Sequence, residues 1–213
     1  IAYPDYPLFR VLSSPGSNIR TAADLSGVGI GIAKNTVIEY VTDRLLAAKG
    51  LRPERIVKQS VPVIPERFQL LLQGRIRAAV LPDPLAWSAM EAGAIEVAAD
   101  SEHPRYGVSV LAFSTRALRE KGEAVRLFLK AWDEAAAKIN ENPEELRAVL
   151  LQKIPVPENI RKTYRIPPYP RNGVPDREQW EDVLKGMQEK RLLDSPVSYE
   201  DSVTAAFLGA GSR

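Results

Sequence analysis

Lys34, Asn35 and Thr36 stand between a short apolar run and the start of an amphipathic stretch. At such a junction, unpaired N–H groups and the positive end of a helix dipole can receive a sulfonate, carboxylate or phosphate, and Lys34 would add a full charge. Asp83, directly ahead of Pro84, marks a second junction. Its carboxylate can cap a helix that Pro84 opens, or accept from an amine, amide or hydroxyl of a ligand. An acidic group there argues against a small bare anion and for a ligand that also donates hydrogen bonds. Pro62 and Val63 would complete the rim after a middle strand, and Tyr106 could stack on a ligand ring. Each has a plain structural counterpart: a cap, a solvated lysine, a buried loop, a packed tyrosine.

The elements that must position these residues are legible from periodicity. Val28, Ile30 and Ile32 alternate as in a strand, then Val37, Ile38, Val41, Leu45 and Ala48 recur at helical spacing. Thr36 and Glu39 have the spacing of a capping box, and Gly50 falls at the helix C-cap. Ile56 to Val61 predicts a strand, Pro65 to Gln73 a helix stopped by Gly74, and Ile76 to Leu81 a strand leading into the Asp83-Pro84 helix. Strand and helix in alternation predict a parallel sheet, whose ligands sit beyond the carboxyl ends of the strands.

Composition narrows the function classes. The 213 residues are 45% hydrophobic and 26% charged, as in a globular protein of one large domain or two small ones. Net charge is +2 with signs interspersed, so no polybasic stripe points to nucleic acid. No apolar run approaches the roughly 20 residues of a membrane span. With no cysteine and one histidine, His103, thiolate metal sites, cysteine nucleophiles and a histidine-based triad are excluded, and no metal or cofactor is expected. Gly27, Gly29 and Gly31 do not continue into a dinucleotide fingerprint, because its third glycine would fall at Lys34.

The second half predicts mostly helices. Tyr106 to Ser114 alternates as a strand, whereas residues 123 to 140 put Val125, Phe128, Leu129, Trp132, Ala136 and Ile139 on one face. A helix from Asn142-Pro143 would turn Leu146, Val149 and Leu150 inward, and one from Pro175 would carry Trp180, Val183, Leu184 and Met187. Tyr164, Tyr169 and Arg171 lie in a proline-rich extended stretch, as an edge strand or facing a ligand. Two strands, Leu8 to Ser14 and Tyr106 to Ser114, are too little sheet for these stripes, so further strands are expected upstream of Ile1. Residues 15 to 105 would form a complete α/β lobe. Residues 1 to 14 and 106 to 213 would supply hinge strands and part of a second lobe, an architecture suited to closing on a ligand.

The stretches IRTAADLSGVGIGIAKNT (19–36), FQLLLQGRIRAAVLPDP (68–84), YGVSVLAFST (106–115) and INENPEE (139–145) occur in an order that resembles the solute-binding proteins of ABC importers. The likeness is to the nitrate, sulfonate, taurine and thiamine-precursor branch. It implies an α/β, type II periplasmic-binding-protein-like fold of two lobes, here one complete βαβαβ lobe and a partial, helix-rich second. It further implies a small-molecule ligand, an ABC permease as partner, an extracytoplasmic setting, no enzymatic activity, and membrane contact only through an N-terminal lipid anchor outside this chain. By their place at the carboxyl ends of the strands, the expected ligand-binding residues are Lys34, Asn35, Thr36, Pro62, Val63, Asp83 and Pro84, with Tyr106 at the start of the return strand. The effector domain of a LysR-type transcription regulator and a biosynthetic enzyme on the same scaffold stay open as alternatives.

Overall fold

A computed structural model describes residues 8–107, 109–195 and 197–209. The chain divides into two compact units, one of Ala2–Gly107 with Ile154–Arg165, the other of Val108–Lys153 with Ile166–Arg213.

The first unit is built on five strands, β1 (Phe9–Ser13), β2 (Gly29–Ile32), β3 (Val57–Ser60), β4 (Ala78–Pro82) and β5 (Ile95–Ala99), in the order β3-β2-β4-β1-β5. β2 runs parallel to β3, with Ile32 opposite Ser60, and parallel to β4, with Gly31 opposite Ala79. The sheet is nevertheless mixed rather than wholly parallel. β1 is antiparallel to both neighbours, Phe9 opposite Pro82 of β4 and Arg10 opposite Ala99 of β5. Leu8–Ser14 is therefore an interior strand of this sheet, and β5 is a strand that periodicity alone does not announce.

Alternation along the strands divides the core. Val11, Ile30, Ile32 and Val80 pack with Ile38, Val41, Leu45 and Leu46 of helix α1 (Val37–Ala48). Leu12, Ala79 and Leu81 face the other way, against Leu71 of α2 (Ile64–Leu72) and Ala86 and Ala89 of α3 (Leu85–Glu91). Both faces are thus covered over β1, β2 and β4, which explains their buried, largely apolar residues, whereas the edge strand β3 is mostly exposed. α1 stops where Gly50 takes a left-handed φ of 82° and the Leu51 amide reaches back to the Leu46 carbonyl.

The second unit is helical: α4 (Thr115–Glu120), α5 (Gly122–Glu141), α6 (Arg147–Lys153), α7 (Arg177–Glu189) and α8 (Tyr199–Ser202). The strand expected over Tyr106–Ser114 is absent: residues 109–114 have no regular structure and Val110 and Leu111 are exposed, while Val108 lies outside the described residues. Without a pairing partner, alternation is not enough to make a strand. The stripe on α5 is real but half covered, with Val125 and Ala136 buried and Phe128 and Trp132 exposed. Val149, expected inward, is exposed as well, and α6 starts four residues beyond Pro143, after a turn. α7 begins as its sequence predicts, with Asp176 and Gln179 forming a reciprocal capping box.

Candidate functional site: the carboxyl rim of the sheet

Because β2, β3 and β4 are parallel neighbours, the loops that leave their carboxyl ends share one edge of the sheet. Lys34, Asn35 and Thr36 leave β2, Pro62 and Val63 leave β3, and Asp83 and Pro84 leave β4. β1 is antiparallel, so its first residues start from that same edge, and β5 ends there.

The first five of these residues are exposed. Thr36 is the N-cap of α1: its hydroxyl accepts the Ile38 amide at 3.2 Å and donates to the Ala33 carbonyl at 2.7 Å. The capping box expected with Glu39 is offset by one residue, since the Glu39 carboxylate takes the Asn35 amide at 2.7 Å. Asn35 turns into φ 59° to make that approach. Glu39 is buried and also bonds Lys58, 3.0 Å away, which in turn pairs with Asp43. A carboxylate of the helix itself therefore offsets part of the positive dipole end. Val37 and Val63 add exposed aliphatic surface at the starts of α1 and α2.

Asp83 lies differently from its expected cap position. α3 starts at Leu85 with Pro84 as N-cap, after a cis Asp83–Pro84 peptide, and no side chain caps it. The Asp83 carboxylate is 13% exposed and turns to Arg10 at 3.4 Å, while Arg10 meets Glu96 at 2.9 Å and lies over the Trp87 ring. Burial pushes the Asp83 carboxyl up to about 6, against the pull of Arg10 and of the Trp87 amide. Fully buried Asp100 is likewise pushed up to about 6 by burial, although the Leu8 amide donates to it at 2.8 Å. Tyr106 is committed to packing: its ring stands edge-on to Tyr40 at 6.4 Å and lies 5.4 Å from His103. Of the weaker candidates, Tyr164 packs edge-on to Trp87 within the first unit, where Asn159 also bonds Ser88. Arg171 pairs with Asp133 and Tyr169 with Asn140 in the second, so neither lies on an edge strand.

Arg67 was not visible as a site residue. It lies on α2, three residues after Ile64 and four before Leu71, on the helix's apolar stripe. Its side chain is fully buried, giving Nε to the Val80 carbonyl at 2.8 Å and Nη1 to that of Val61 at 2.6 Å. Burial draws it down to about 10. Gly31 makes room: a Cβ there would stand 3.4 Å from the Arg67 stem and 2.8 Å from Ile76 Cδ1.

Among the described residues no group of three or more histidine, cysteine or acidic side chains could hold a metal ion, and no helix is long and apolar enough to cross a membrane. A surface depression of about 520 Å³ lined by Lys49, Arg52 and Arg55 lies at the other end of α1. The rim offers exposed polar and aliphatic residues side by side.

The family described as NMT1/THI5 like matches residues 2–146. No curated protein matches by sequence. Among solved structures, the periplasmic aliphatic sulphonate binding protein SsuA from Escherichia coli is similar with a TM-score of 0.71 and 21% identity over 92% of this chain. This chain spans 65% of the length of that protein. The alkanesulfonate-binding protein SsuA from Xanthomonas axonopodis pv. citri, bound to MOPS, gives 0.66 and 19%, covering 98% of this chain and 71% of its own. The desulfurization enzyme DSZB gives 0.65 and 15%, with 94% and 74% covered. These likenesses identify the fold as periplasmic-binding-protein-like, type II, a scaffold that carries both binding proteins and an enzyme.

Proposed function

Because the chain belongs to the NMT1/THI5-like family, we propose that it is the solute-binding component of an ABC-type importer, working outside the cytoplasmic membrane and handing its ligand to a permease. It is held at the membrane by a lipid anchor or is free. The ligand is a small polar organic molecule, sulfonate-like or a heterocyclic precursor, and Lys34, Asn35, Thr36, Pro62 and Val63 contact it.

The observation that carries this reading is the shared edge. The exposed residues Lys34, Asn35 and Thr36 after β2 lie beside exposed Pro62 and Val63 after β3, fixed by the register of Ile32 on Ser60. Asp83, Pro84 and Tyr106, all half-buried, complete the proposed contact set while also bracing the unit: Asp83 holds Arg10, Pro84 opens α3, and Tyr106 buttresses α1 through Tyr40. The enzyme alternative has little to work with in these residues, since the sole histidine is tilted against the Tyr106 ring and there is no cysteine.

The test is a thermal-shift screen against alkanesulfonates, amino-pyrimidines, other heterocyclic precursors and dicarboxylates, followed by product analysis. A ligand that binds only the folded form raises the midpoint. A shift by one class with no product supports the reading. Turnover would overturn it, as would the absence of any shift together with binding to a DNA operator.

A further inference from the structure

The charges around the rim are not balanced alike. Glu39 has Lys58, and Asp83 and Glu96 have Arg10. Arg67 has only carbonyls: among the described residues no carboxylate lies within ion-pair distance of it, and its Nη2 is buried without a partner. Buried charges are ordinarily paired, because desolvation is costly otherwise. The position adds to the anomaly, since a cation in the first turn of α2 faces the positive end of that helix. An internal staple would not need the charge, for a neutral donor can hold a carbonyl as well.

Resting on the solute-binding reading above, we infer that Arg67 is a specificity-determining residue that selects an anionic ligand by supplying an uncompensated buried positive charge directly beneath the β3–α2 loop. Its Nη1 holds the carbonyl of Val61, the residue that leads into Pro62 and Val63, so the guanidinium sits within one residue of the exposed rim. It acts through the loop and through its field rather than by contact, being fully buried. An anion at the rim offsets that charge at a distance, without touching the guanidinium. The start of α2, which no side chain caps, lies on the same side, although Pro65 brings no N–H and the Arg67 amide is held by the Val63 carbonyl.

The experiment compares pentane-1-sulfonate with its uncharged analogue pentane-1-sulfonamide, by calorimetry, on the wild type, Arg67→Gln and Arg67→Lys. The wild type is expected to prefer the sulfonate by about tenfold or more. Arg67→Gln keeps a donor for Val61 but no charge, so the preference falls to within about twofold while sulfonamide affinity barely moves. Arg67→Lys retains most of the preference. Equal weakening of both probes in Arg67→Gln, or an unchanged ratio, shows a staple only and overturns the inference. Should Arg67→Gln fail to fold, Arg67→Lys decides: losing the preference with sulfonamide affinity intact contradicts the inference, keeping it supports it. A wild type that binds a neutral heterocycle but shows no preference for the sulfonate sinks this inference and leaves the solute-binding reading standing. A wild type that binds nothing in the wider screen sinks both.

Discussion

The Asn35 amide donates to the Glu39 carboxylate at 2.7 Å, so the exposed start of α1 already faces a negative charge from its own first turn. Any ligand at that end competes with Glu39 for the dipole, and the pairing of Glu39 with Lys58 tempers the competition. Removing the charge should therefore separate stability from binding. Glu39→Gln is expected to lower stability by about 1 kcal/mol, the worth of a helix-end interaction, and to tighten an alkanesulfonate severalfold. Thermal unfolding and calorimetry on the same sample check it; weaker sulfonate binding would show that Glu39 helps to shape the site.

Asp83 and Asp100 should give stability an unusual pH dependence. Both carboxyls are raised by burial to about 6, so between about 4 and 6 the folded state binds more protons than the unfolded one. Their contribution is greatest in acid and is lost as pH rises through that window, up to about 3 kcal/mol for each. Urea unfolding of the wild type and of Asp83→Asn and Asp100→Asn at pH 4.5 and 7 tests this. The stability of the wild type relative to each variant should fall on going to pH 7, and a constant difference would refute it.

Gly31→Ala should cost about 1–3 kcal/mol by overpacking, because its Cβ would meet Ile76 at 2.8 Å and press on the Arg67 stem. Gly29→Ala, whose Cβ would meet the Gln59 side chain at 3.5 Å, should cost less. Denaturant midpoints of the two variants decide; equal losses would mean that strand propensity rather than the Arg67 passage governs both.

Asn159 ties the returning segment 154–165 to α3, accepting from the Ser88 hydroxyl at 2.8 Å and donating to the Ser88 carbonyl at 3.2 Å. Asn159→Ala strands buried Ser88 and should lower stability by about 1–2 kcal/mol. Limited proteolysis should then cut within 154–165 well before the sheet, and simultaneous cleavage would contradict it.

What the sequence shows of this fold follows from what is local. α1, α2 and α3 are legible because their apolar spacing, Thr36 and the glycines at 50 and 74 act within a few residues. β1 is legible as a strand over Leu8 to Ser14 but not as the partner of β4 and β5, and β5 is not legible at all, because the pairing of Arg10 with Ala99 depends on residues far apart in the chain. The alternation of residues 109–114 misleads for the same reason, having no neighbour to pair with. At the rim, the exposed residues follow from the strand–helix junctions. Arg10 and Arg67 escape notice because a charged side chain reads as solvated, although Arg67 sits at a spacing from Ile64 and Leu71 that already puts it inward.

If the loops after β2 and β3 hold a small solute, its binding must protect their amides. Amide hydrogen exchange with and without saturating alkanesulfonate tests it most directly. New protection is expected at residues 33–38 and 61–67, with residues 49–55 at the far end of α1 unchanged. Protection confined to 49–55, or none at 33–38 and 61–67 despite measurable binding, would contradict it.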